Sequence, residues 1–217
     1  MHAKINKRPF FIFIGILLIV ILIVIIPVIQ HIGSNYRQEQ QHDIIQHIWE
    51  DEILPYIKDG DIIFRLGDRI WSVFFRDLSE NDKKFSHLGI VRIRDDIVTV
   101  VHAEGFAGAG KDSVNEIPLG NFLKTARSIG IYRIKNIEGS RISDTAMEYT
   151  GFPFDWKFDM TENESLYCSE LLYVILRKLN PEIILNTIWQ KEIGKYILPL
   201  DIYTQEEYFS EIGYWEK

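Results

Sequence analysis

An uninterrupted apolar run, Phe10–Ile29 (FFIFIGILLIVILIVIIPVI), constrains this chain more than any other feature. A helix rises about 1.5 Å per residue, so a run of this length reaches about 30 Å, the hydrocarbon thickness of a bilayer. Gly15 and Pro27 are compatible with it, because membrane helices tolerate both. A buried core helix is the bland alternative and a cleaved signal peptide the closer one. The run is long and β-branched, and the Gly33-Ser34 that follows is a poor cleavage site. The expectation is one uncleaved transmembrane helix. Lys4, Lys7 and Arg8 precede it without an acid, which orients the N-terminus to the cytoplasm and everything after about Gln30 to the outside. The expected organisation is a cytoplasmic basic tail at 1–9, an anchor at 10–30, a stalk and amphipathic helix at 31–58, and an extracytoplasmic domain at 59–217.

Setting aside Lys4, Lys7 and Arg8 leaves 21 basic residues against 31 acidic ones, a net charge of about −10 on the rest of the chain. That balance argues against nucleic acid or an anionic lipid surface as the main partner. Cys168 is the lone cysteine, so no disulfide framework supports the fold, and the domain relies on its core.

Ile44, Ile45, Ile48, Trp49, Ile53 and Leu54 recur at helical spacing up to Pro55. Lys58-Asp59-Gly60 reads as a turn and Asp61–Arg65 as a short strand. Asp68–Leu78 has a helix-like pattern. Leu88–Arg94 and Ile97–Ala103, joined by Asp95-Asp96, form a hairpin signal. Gly105–Gly110 (GFAGAG) lacks the spacing and lysine of a phosphate loop. Strands are expected at Val114–Ile117 and Ile129–Ile134, with a short helix at Leu119–Thr125 between them. Ser140–Tyr149 and Tyr167–Leu179 read as helices, the second stopped by Asn180-Pro181. Ile197–Leu200 looks like a last strand and Thr204–Trp215 like a surface helix. The pattern is α+β: a small antiparallel sheet with helices.

Cys168 sits at the start of an expected helix, where the partial positive charge of the N-terminus lowers a thiol's pKa. A packed core cysteine is the competing reading. His87 opens a strand and could serve as the base a thiol nucleophile needs; surface or satisfied core histidines are commoner. His102 and Glu104 alternate on the partner strand, so both face one side, and either could orient His87. Asp155 and Asp159 read as loop caps rather than a metal pair. Trp71, Trp156, Trp189 and Trp215 are scattered and read as packing.

Three segments in order resemble a family. Gly60-Asp61-Ile62-Ile63-Phe64 resembles the opening of NlpC-type and YiiX-like cysteine hydrolases. Phe85-Ser86-His87-Leu88-Gly89-Ile90-Val91 is similar to their histidine strand. Gly151-Phe152-Pro153-Phe154-Asp155, then Leu166-Tyr167-Cys168-Ser169-Glu170-Leu171, is similar to their cysteine segment. Histidine precedes cysteine, the reverse of papain, which marks the circularly permuted branch.

The resemblance spans about residues 59–208. It implies a circularly permuted papain-like (NlpC-type) α+β domain, with a small antiparallel sheet packed on the cysteine helix. It implies Cys168 as nucleophile and His87 as general base and acid. YiiX-like members usually end the second strand with Glu-Ala; here the pair is His102-Ala103. His102 therefore takes the third position, and the role of Glu104 stays open. Tyr167 would line the oxyanion site with the Cys168 N–H, with Ser169 and Asp155 beside the substrate.

The expected activity is a membrane-anchored amidase or peptidase acting on a small peptide or acyl-amide, cell-wall peptides included, without cofactor or metal. Acyl transfer or thioester hydrolysis on lipids, and an inactive peptide-binding module, are the alternatives.

Overall fold

The computed structural model describes residues 21–68, 70–105, 112–162 and 164–216. The chain divides into two units, 1–44 and 45–217. Helix α1 (Ile26–Ile53) follows a π-helical turn at Ile21–Ile25 and crosses this division. Pro27 falls where the π-helical turn passes into α1, the kind of irregularity that accommodates a proline in a helix.

The expectation of a membrane-spanning helix at 10–30, and the extracytoplasmic placement derived from it, is corrected here. Among the described residues no helix is long and apolar enough to cross a membrane. The apolar run up to Val20 lies outside the described residues. From Gln30 on, α1 carries the polar residues Arg37, Glu39 and Asp43, the segment expected as a stalk.

In the second unit, β1 (Ile62–Gly67), α2 (Ile70–Asp77), β2 (His87–Arg94), β3 (Ile97–Glu104), β4 (Ser113–Pro118), α3 (Leu119–Leu123) and β5 (Ala126–Ile134) follow in order. After them come α4 (Gly139–Met147), α5 (Cys168–Leu179), a hairpin of β6 (Ile188–Gln190) and β7 (Lys195–Ile197), a 3-10 turn at Leu200–Thr204, and β8 (Phe209–Glu216). The main sheet is antiparallel, in the order β4-β3-β2-β1-β5-β8. Asp95 and Asp96 both take positive φ (51° and 62°), the conformation of a tight two-residue hairpin.

Alternation along the strands sorts the core into two clusters. Ile62, Phe64, Leu88, Ile90, Val101 and Tyr132 pack against Leu171, Leu172 and Ile175 of α5 and Ile142 and Ala146 of α4. Ile63, Val91, Val100, Ile129 and Ile131 point the other way, onto Trp49, Ile53, Ile57, Phe122 and Leu123. The central strand β1 is buried on both faces, which is why its first half, Ile62–Phe64, is a continuous apolar run and not an alternating one. Of the expected amphipathic stripe before Pro55, Trp49 and Ile53 are buried while Ile44, Ile48 and Leu54 stay exposed.

Two expectations fail near the C-terminus. The tail is not a surface helix: it turns once at Leu200–Thr204 and ends as β8, paired with β5. Its composition (FSEIGYWE) suits a strand, with Phe209 packing into one core cluster and Ile212 and Trp215 against the other. The expected strand Ile197–Leu200 does not form: β7 runs Lys195–Ile197, and Leu200 opens the 3-10 turn.

Candidate active site

The GD opening of β1 turns out to be scaffold. Gly60 has φ 79°, and a Cβ there would collide with Gly139 O. Asp61 is buried; it accepts the Lys58 N–H at 2.7 Å and pairs with Arg133 Nε at 2.7 Å. This clasp fixes the start of β1 and thereby the position of Arg65, four residues on.

Arg65, His87, His102 and Glu104 follow the alternation of Ile63, Val91 and Val100, on the sheet face opposite α5. They cluster where β2 begins and β3 ends. Arg65 is the direct partner of His87 across β1 and β2. Gly89 is required here, because a Cβ would collide with Val100 and crowd His102 Cβ at 3.2 Å. The Cys168 helix packs on the other face, with its N-terminus at the same end of the sheet. Cys168, His87, His102, Glu104 and Arg65 all line one cavity of about 760 Å³.

His87 Nε2 and His102 Nδ1 are hydrogen-bonded at 2.8 Å. Glu104 Oε2 lies 3.4 Å from His102 Nδ1 and 3.8 Å from His87 Nε2. The same oxygen accepts Arg65 Nη2 at 3.0 Å. Burial holds His87 well below the usual histidine range, and the Arg65 charge adds to this. His102 is lowered by burial and by His87, with Glu104 opposing. Both rings are therefore neutral around pH 7.

The thiol departs from the sequence expectation. Burial pushes Cys168 up to about 11, against the opposing pull of the Leu88 and Ser169 N–H groups. The helix N-terminus does not outweigh the loss of water. Among the described residues no hydrogen bond joins Cys168 to His87. Because His102 occupies Nε2, Nδ1 is the ring nitrogen left to serve the thiol.

The remaining expected site residues are placed differently. Tyr167 and Ser169 line the cavity, but both brace one segment: the Tyr167 hydroxyl accepts the Leu198 N–H at 3.0 Å and Ser169 Oγ donates to Leu198 O at 2.6 Å. Asp155 is buried outside the cavity, capping its own loop through the Lys157 and Asp159 N–H groups. Beneath Tyr167 lies Glu170, whose carboxyl burial and Asp155 raise to about 8. Arg65 was missed from the sequence. The one signal was a charge at the end of a strand that otherwise reads as core.

A family model described as the permuted papain-like amidase enzyme, YaeF/YiiX, C92 family, matches residues 56–197. The chain belongs to this family. It is thus a member of a cysteine-hydrolase family of amidases, and its papain-like α+β domain carries the permuted order. The crystal structure of the metalloprotein YiiX from Escherichia coli is similar at TM-score 0.61 and 16% identity, over 75% of this chain and 99% of that one. A search of the curated proteins finds no match.

The family likeness to a metalloprotein raises the question of a cation. Among the described residues the candidate cluster is His87, His102 and Glu104, with ligand atoms within 4.8 Å of one another. This set does not fit a metal ion. The facing ring nitrogens are spent on each other, Glu104 is spent on Arg65, and a dication would sit beside the buried guanidinium.

Proposed function

We propose that this amidase works through a Cys168 acyl-enzyme with His87 as general base and acid and His102 orienting His87. The observation that carries the reading is the meeting, in one cavity, of a helix-terminal thiol and a neutral pair of a half-buried and a buried histidine. With the thiol raised and the imidazole neutral, the resting pair is thiol and base, not a preformed ion pair. The Cys168 sulfur attacks the amide carbonyl as its proton passes to His87 Nδ1. The Cys168 N–H, at the positive end of α5, faces the developing oxyanion. His87 returns the proton to the leaving amine as the C–N bond breaks. Water, deprotonated by His87, then cleaves the thioester and restores the thiol.

Phe75, Leu78, Phe154, Phe158 and Leu200 give the cavity an apolar stretch suited to an acyl group, although Asn115, Glu116 and Asn121 also line it. The same wall supports the second reading, transfer or hydrolysis of a lipid acyl ester or thioester. The test is a panel of N-acyl amides, acyl esters and short peptides assayed with the parent and Cys168→Ala. Turnover that rises with acyl length and vanishes in Cys168→Ala is expected. Retained turnover in that variant overturns the mechanism, and preference for esters selects the second reading.

A further inference from the structure

Arg65 carries a role that no motif assigns. Its guanidinium is almost fully buried, stacks 4.5 Å over the Phe122 ring, donates Nη1 to Phe122 O at 2.6 Å and holds Glu104 at 3.0 Å. Phe122 in turn stacks on His87 (5.6 Å between ring centres, 28° between planes) and meets His102 edge-on at 5.5 Å. Arginine and the two imidazoles thus share one aromatic platform.

For His87 to serve as base, Nδ1 must carry a lone pair, so Nε2 carries the hydrogen and donates to His102 Nδ1. This tautomer is assigned from the network. It is fragile. Glu104, 3.4 Å from that same His102 Nδ1, would as a free carboxylate draw a proton onto it. His102 would then donate to His87 Nε2, the hydrogen of His87 would move to Nδ1, and the base would be lost.

We propose that Arg65 is a positioning residue that occupies Glu104 and so fixes the His87–His102 pair in the neutral, base-competent tautomer. This rests on the catalytic roles proposed above for Cys168 and His87. The charged and titratable groups facing the pair support it: Arg65 from β1, Glu104 from β3 and Cys168 from α5. The β4 carboxylate Glu116 is held by Arg92 at 3.2 Å and Thr99 at 2.6 Å. Arg65 is thus the cation positioned to offset Glu104. The lowered histidine pKa values agree with that arrangement.

The test reads ring-nitrogen NMR shifts of the 15N-histidine-labelled full chain from pH 5 to 8, assigned with His87→Gln and His102→Gln. In the parent, His87 should be protonated on Nε2 alone and neither ring should titrate. In Arg65→Met, His102 should acquire a proton on Nδ1 or titrate within the range, and His87 should lose its Nε2–H form. Arg65→Lys should keep the parental states. Arg65→Met combined with Glu104→Gln should restore them, which also covers a single variant too unstable to study. Unchanged ring states in folded Arg65→Met, or failure of the double variant to restore them, overturns the proposal. Because no turnover is measured, failure of the Cys168 mechanism would show separately, as activity retained in Cys168→Ala.

Discussion

The two faces of the six-stranded sheet carry different chemistry on the same strands. The face under α4 and α5 is filled by apolar side chains, Leu171, Leu172 and Ile175 against Ile62, Phe64 and Ile90. The opposite face begins the same way, with Ile63, Val91 and Val100 against Trp49 and Phe122. At one end it changes into Arg65, His87, His102 and Glu104. A strand alternates its side chains, so a one-residue step separates core from relay. The first face supplies stability and carries Cys168, the proposed nucleophile, at its helix terminus, while the second holds the proposed proton relay. Substitutions on the two should therefore part company: one set costs folding, the other costs turnover.

The largest expected effect is Cys168→Ala. Turnover should fall by about 10³-fold or more with the melting temperature nearly unchanged, measured by steady-state kinetics and thermal unfolding. Joint loss of both would assign Cys168 to the core of its face and not to the chemistry. Next is Leu172→Ala, fully buried on the α5 face. It should destabilise the fold by about 2–5 kcal/mol in denaturant titration, the range for large-to-small core changes.

His102→Gln should lower kcat by about 10²-fold with little change in stability, since it removes orientation and not the base itself. An equal loss of stability would assign His102 to the core. Alkylation of Cys168 by iodoacetamide should climb only well above pH 8.5, the value of a free thiol, because burial raises it to about 11. A midpoint below 7 would restore the ion-pair picture.

The smallest effect concerns Glu170. Burial pushes its carboxyl up from the ordinary 4.5 to about 8. The unfolded chain releases this proton first, so stability falls as pH rises from about 4.5 toward 8. Glu170→Gln should melt several degrees above the parent at pH 9, with the gap closing below pH 5. A gap independent of pH would mean the carboxyl is not the cause.

Local patterns were legible without coordinates. The Asp95-Asp96 hairpin, the helix beginning at Cys168 and the histidine-before-cysteine order each depend on neighbours in the chain. Properties set by distant partners were not. The thiol looked acidified from its helix position, yet enclosure by groups far along the chain raises it. Asp155 sat close to Cys168 in sequence but turns into its own loop. The strand character of Phe209–Glu216 emerged only with β5 as partner.

The sequence by itself determined the class of domain and the candidate nucleophile and base, because propensity, turn chemistry and motif order are local. It also contained the run Phe10–Ile29, but the membrane span inferred from it is not supported, since among the described residues no helix is long and apolar enough to cross a membrane. Only the tertiary structure decided which groups meet: Arg65 with Glu104, His87 with His102, and a half-buried thiol at the cavity wall. Electrostatics inside a protein depends on distance and burial, and neither can be read along a chain.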